Sequence, residues 1–251
     1  MTTALITGAS AGLGAEFAKQ LAADGHDVVL VARSQERLEQ LSRDLTTTWG
    51  VDVEVLPADL ATSGGLDAVA ERIADAGRPI DVLVNNAGLG LGGRFVDNEL
   101  DVEVAALDLM VKAVMVLSHA SALAMSTRGH GAILNVSSVA SWLGSGTYAA
   151  HKAWVTSFSE GLAGELRGTG VTVTAVLPGL TRTEFHDRAG LDHYYSAPGI
   201  VWLRASHVVK SALRASRRGK VLVTPSARYA VAANISRVLP RTWVRALTRA
   251  R

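Results

Sequence analysis

Tyr148 and Lys152, in the stretch GTYAAHKAW (146–154), stand four residues apart. That is one turn of an α-helix, so both side chains would emerge on one face. A phenol ionises near pH ~10 and does little acid–base work at neutrality by itself. An ammonium one turn away favours the phenolate and draws the phenol toward a working pH, with Tyr148 as proton donor or acceptor and Lys152 as its assistant. Spacing alone leaves a second reading open, two residues that merely share a helix face. Motifs elsewhere in the chain must decide.

A second chemical feature is TGASAGLG (7–14). Gly8, Gly12 and Gly14 permit a tight turn and a close approach of backbone to a pyrophosphate at a helix N-terminus. The turn directly follows the first apolar run, which is where a nucleotide-binding loop belongs. The second apolar run ends VLVARS, with Arg33 at its tip and no acidic residue between Asp27 and Glu36. A carboxylate there suits a ribose hydroxyl, whereas an arginine suits a 2′-phosphate. The expected cofactor is therefore NADP(H) rather than NAD(H).

These groups must be positioned by the elements between them. Apolar runs at 4–7, 28–32, 53–57, 81–85, 132–137 and 171–176 alternate with helical patterns. The helices are expected near 13–23, 34–45, 62–76 and 97–126, with another carrying Tyr148. The runs are almost continuously apolar, as strands covered on both faces are. Strand–helix alternation implies right-handed crossovers and a parallel sheet. The fold expected is α/β: a single doubly wound, Rossmann-like domain over residues 1–251, its central parallel sheet flanked by helices and its series of strands closing at 171–176. Beyond about residue 180 the alternation loosens into a substrate lid near 180–204 and a basic helical segment near 226–251.

Bulk properties exclude several classes. With 48% apolar residues the chain can bury a core, and no apolar run approaches the ~20 residues of a membrane span. The absence of cysteine removes disulfides and thiolate metal sites, and no metal site is expected. MTTALITGAS passes straight into strand and turn, leaving no room for a signal peptide, so a cytoplasmic location is expected. The small net charge hides an asymmetry. Residues up to Asp192 hold all 23 Asp/Glu against 13 Lys/Arg, and the rest hold 12 Lys/Arg and no acid. Such a tail suits an acidic partner, the acidic body of a second subunit, or plain solvation.

Taken in order, the motifs over residues 3–185 resemble the short-chain dehydrogenase/reductase family. TGASAGLG matches its cofactor loop, which implies contacts from Ser10 and Leu13 as well as the glycines. Asp59 and Leu60 in PADLAT match the pair that meets the adenine. Asn85-Asn86-Ala87-Gly88 matches the family's NNAG, implying cofactor contacts from Asn85, Ala87 and Gly88. Ser138, Tyr148 and Lys152 match the catalytic set, with Tyr148 and Lys152 also touching the cofactor. Pro178 and Gly179, followed by Thr181 and Thr183, match the segment that meets the nicotinamide amide. The resemblance implies hydride transfer between the nicotinamide and a ketone or secondary alcohol. Ser138 would hold the substrate oxygen while Tyr148 moves the proton. It also implies a homodimer or homotetramer, paired through the long helices after the fourth and fifth strands.

Three departures stand out. The family often carries an asparagine in the central helix, where it holds a water that links the lysine to solvent. Met110 falls at that position, and a thioether cannot replace an amide. Asp108, two residues earlier, should point away. Ser138 lies closer to Tyr148 in sequence than in most members, and Ser137 should face the other side of the strand. His151 fills a slot usually held by a small residue, where packing or subunit contact is expected of it.

Substrate-pocket candidates come from the loops: Leu89, Phe95, Trp142, Phe185, Tyr194 and Tyr195. Their apolar character suits a small hydrophobic carbonyl compound or alcohol. In the tail, Arg237, Arg241, Arg245 and Arg249 recur every four residues around Trp243, with Pro240 dividing two short helices. Contact with a membrane surface is conceivable for such a segment, but packing on protein is preferred. No nucleic-acid partner is expected, because the rest of the chain is acidic. Alternatives to the reductase are a non-catalytic NADP(H)-binding sensor or scaffold, and a membrane-surface keto-lipid reductase.

Overall fold

The apolar runs form strands wherever a side chain is wanted on both faces of a buried sheet. The computed structural model describes residues 2–143, 146–185 and 198–238, with side chains through Ala232. Its strands are β1 (Thr3–Thr7), β2 (Asp27–Ala32), β3 (Val53–Pro57), β4 (Val82–Asn85), β5 (Gly131–Val136), β6 (Val171–Val176), β7 (Thr181–Arg182), β8 (Leu203–Arg204) and β9 (Leu222–Val223). Seven of them make one parallel sheet in the order β3-β2-β1-β4-β5-β6-β9, and β7 and β8 pair separately. Successive residues alternate faces. Ala4 and Ile6 enter one core layer, while Leu5 enters the other.

Helices cover both layers. One face carries α1 (Gly12–Ala23), through Phe17 and Leu21, and α2 (Gln35–Trp49), through Leu38, Leu41 and Leu45. Gly50 stops α2 in the left-handed conformation at φ +65°. The other face carries α3 (Ser63–Ala74), which starts where the Thr62 hydroxyl accepts the Gly65 N–H at 3.2 Å. Beside it pack α4 (Leu100–Leu107), α5 (Ala113–Arg128) and α6 (Gly146–Glu165). Then α7 (Ala205–Ser216) returns to the first face through Val208, Val209 and Ala212, and α8 (Ala227–Val238) follows β9. Among the described residues no helix is long and apolar enough to cross a membrane.

The doubly wound parallel sheet is the fold expected. Two expectations are corrected. The helix drawn over 97–126 is interrupted: a π-helical turn, Asp108–Lys112, separates α4 from α5. Such a turn fits one extra residue into the helix, and sequence periodicity carries no mark of it. The series of strands does not close at Val176, because α7 and β9 add one more crossover and a seventh strand. The signal was present in Val208, Val209, Ala212 and Leu213 at helical spacing, followed by the apolar VLV at 221–223. Residues 186–197, with Tyr194 and Tyr195, and the tail beyond Val238 lie outside the described residues.

Candidate active site

Strand order reverses between β1 and β4, and a crevice opens there beyond the carboxyl ends of the strands. The glycine turn leaves β1 into it, and the NNAG segment leaves β4 beside it. Thr7, fully buried, holds the two together: its hydroxyl accepts the N–H groups of Asn86 at 2.9 Å and Ala87 at 3.0 Å. The Asn86 amide in turn donates to the Thr7 carbonyl at 2.9 Å. Gly8 and Gly12 adopt φ +66° and +57°, conformations that glycine takes without strain. A Cβ on Gly14 would overlap the Gly8 carbonyl. Neither a side-chain cap nor an acidic residue occupies the start of α1. The turn and helix end therefore suit a pyrophosphate. Arg33 is exposed just past the tip of β2, Asp59 is half-buried with its carboxylate on the Ala61 N–H at 3.0 Å, and Leu60 is buried. Ser10 and Leu13 are half-buried on the turn.

The side chain of Asn85 has a different task from the one expected. Its amide donates to Ser118 Oγ on α5 at 3.0 Å and to Asn135 Oδ1 on β5 at 2.9 Å, deep beneath the crevice. Asn135 continues the ladder to Ser159 Oγ on α6 at 2.9 Å. The neighbouring Asn86 is the asparagine whose side chain reaches the glycine turn.

Three side chains converge at the ends of β5 and α6. Ser138 caps a short 3₁₀ turn, Val139–Trp142, its Oγ accepting the Ala140 N–H at 3.1 Å, and it stands near enough to Tyr148 to pull the phenol's pKa downward. Lys152 is 6% exposed, its Nζ lying 5.8 Å from the Tyr148 ring centre and donating to the Val136 carbonyl at 2.8 Å. Ser137 faces the helix, as strand alternation requires, and donates to the Lys152 carbonyl at 2.7 Å. It thereby fixes the turn of α6 that carries the lysine.

Burial sets the protonation of the pair. It pushes the Tyr148 phenol up to about 12, with only the Ser138 hydrogen bond pulling the other way. It draws the Lys152 ammonium down to about 8. The phenol is thus not drawn down by the lysine as expected; desolvation dominates. His151 is 8% exposed on α6, and its Nδ1 is buried without a hydrogen-bond partner. Burial lowers its pKa below the usual imidazole value.

Met110 sits at the centre of the π turn, fully buried. A Cβ placed on Gly88 would lie 3.6 Å from Lys152 Nζ and 3.7 Å from Met110 Sδ. The thioether thus lines the lysine's chamber, while Asp108 pairs outward with Lys112 at 3.4 Å.

A strap formed by residues 181–185 crosses the crevice. Glu184 pairs with Arg37 of α2 at 3.0 Å. Thr183 lies over Gly12, where a Cβ would be 3.3 Å from the threonine Cβ. The Phe185 ring tilts against Tyr148 with centres 5.9 Å apart. Thr181 is buried and bonds the Gly179 carbonyl at 2.9 Å, and the buried Pro178 accepts the Val139 N–H at 3.0 Å. Of the other pocket candidates, Leu89 and Trp142 are half-buried, whereas Phe95 is 56% exposed. Sequence reasoning quoted Thr7 and Asn86 within their motifs without giving them a role, and passed over Arg37 and Glu184. Only Arg37, one helical turn beyond Arg33, carried a readable signal. Among the described residues no group of three His, Asp or Glu side chains could hold a metal ion.

A family model described as short chain dehydrogenase matches residues 2–193. The ketoacyl reductase HetN of Nostoc sp. is 35% identical over 180 residues, 70% of this chain and 62% of that protein. The chain thus matches less than two thirds of that reductase. A short-chain dehydrogenase from Sphingobium yanoikuyae, solved in complex with NADPH, superposes with TM-score 0.87 at 35% identity, covering 100% of this chain and 97% of that one. The bulky-bulky ketone specific alcohol dehydrogenase from Comamonas testosteroni gives TM-score 0.82 at 32% identity, covering 94% and 92%.

Proposed function

We propose a reaction for this chain, which belongs to the short-chain dehydrogenase/reductase family and is an oxidoreductase acting on CH–OH and C=O groups. It is the NADP(H)-dependent interconversion of a hydrophobic ketone and its secondary alcohol. One observation supports the reading: Lys152 and Phe185 both pack against Tyr148, with Ser138 nearby, at the carboxyl end of the sheet beside its switch point.

The residues present fit that cofactor. Gly8, Gly12 and the start of α1 would hold the pyrophosphate, Asp59 the adenine, and Arg33 the 2′-phosphate. Pro178, Gly179, Thr181 and Thr183 would face the nicotinamide. The bound dinucleotide supplies or accepts the hydride. Tyr148, fully protonated at neutral pH, donates its hydroxyl proton to the developing alkoxide during reduction and takes it back during oxidation. Lys152 stabilises the phenolate left behind, and Ser138 Oγ holds the substrate oxygen. The NADPH-bound and ketone-specific neighbours support the choices of cofactor and substrate class. The exposed apolar row Leu100, Val104 and Leu107 on α4 supports a homodimer or homotetramer.

The test is NADPH oxidation against ketones graded in size and polarity, with NADH in parallel. Activity rising with apolar bulk and preferring NADPH is expected. Tyr148→Phe should lose about a hundred-fold or more of turnover while still binding NADPH. Full turnover in that variant would refute the assignment.

A further inference from the structure

We propose that Tyr229, on the C-terminal helix α8, is a positioning residue for the nicotinamide end of the crevice. Its ring packs against Gly179, where any Cβ would overlap it. Its hydroxyl is used twice, accepting the Leu180 N–H at 3.2 Å and donating to the Val201 carbonyl at 3.0 Å. Leu180 stands just before the strap and Val201 just before β8. One phenol therefore ties both to α8.

Pinning reaches the reacting atoms through short links. On one side, Pro178 accepts the Val139 N–H next to Ser138. On the other, the backbone runs from Leu180 through the buried Thr181 to Thr183 over Gly12 and Phe185 against Tyr148. Gly179 thus has a structural reason to be small, the tyrosine behind it, beside the cofactor contact proposed for it. Without the hydroxyl, the Leu180 N–H and the Val201 carbonyl lose a partner, and the segment loses its fixed height over the crevice. Among the described residues, Arg33 and Asp59 make no hydrogen bond or ion pair with α8, and the strap reaches α2 through Glu184 and Arg37.

This inference rests on the cofactor reading above, and the experiment separates the two. NADPH and 2′,5′-ADP binding are titrated on the wild-type chain and on Tyr229→Phe, which keeps the ring on Gly179. Ketone turnover is measured alongside. Expected for the variant are a roughly ten-fold fall in kcat, a several-fold rise in the NADPH Kd, and an unchanged Kd for 2′,5′-ADP. Unchanged kcat and NADPH binding would overturn the proposal. A parallel loss of 2′,5′-ADP binding would overturn it too, by showing general loosening. Gly179→Ala, which drives a Cβ into the ring, gives a second arm: adding Tyr229→Phe to it should cost little more, and full additivity would count against the link. Failure of the wild-type chain to bind NADPH at all would instead remove the cofactor reading, and this inference with it.

Discussion

Tyr148 and Lys152 are driven in opposite directions by one cause. Burial favours the neutral form of each, raising the phenol to about 12 and lowering the amine to about 8. For the lysine the linkage has a definite sign. Between about pH 8 and its ordinary value near 10.5 the unfolded chain binds the proton more tightly than the folded one, so stability rises with pH across that window. The penalty of burying the ammonium is fully present below about pH 8. Lys152→Met should remove this contribution, so the variant's stability advantage over wild type should shrink from pH 8 to pH 10 in denaturant melts. A constant difference across that range would mean that the amine is not desolvated. At this scale the sequence named Ser138, Tyr148 and Lys152 from their types and surroundings, and the fold brings Tyr148 and Lys152 onto one face of α6 beside the end of β5. It misled at Asn85. Two adjacent asparagines read alike, although alternation from the core residue Leu83 places Asn85 on the layer shared with α5.

Elements explain how such groups are held. The amide ladder from Ser118 through Asn85 and Asn135 to Ser159 ties α5, β4, β5 and α6 together beneath the site. Buried polar groups of this kind specify position only when every member is satisfied. Asn135→Leu leaves neighbours without partners and should lower the unfolding free energy by about 1–3 kcal/mol. Chemical denaturation measures that directly, and a neutral result would show that the ladder is dispensable. Above it, the π turn brings Met110 to the lysine's chamber. Alternating strands and helices were legible because hydrophobic period reports them directly. The π turn was not, since an added backbone residue leaves composition and average period almost unchanged. The two-residue β9 was too short to stand out without α7 before it.

At the scale of the whole molecule, every proposed reacting group lies at one end of a parallel sheet, while an apolar row lies outside the core on α4. Leu100, Val104 and Leu107 are 68%, 46% and 46% exposed, at spacing that keeps them on one helical face. In the proposed homo-oligomer this row is covered by a second copy. Val104→Glu should then reduce the mass seen by light scattering without changing the circular dichroism spectrum. An unaltered mass would place the contact elsewhere. The short pair β7–β8, with Thr181 beside Leu203 and Arg182 beside Arg204, closes the base of the excursion that begins at the strap. Once a base is closed, lengthening the chain between its feet costs only about 0.6 kcal/mol per doubling. Residues added between β7 and β8 would therefore cost the fold little, and the seven-stranded sheet would stay as it is.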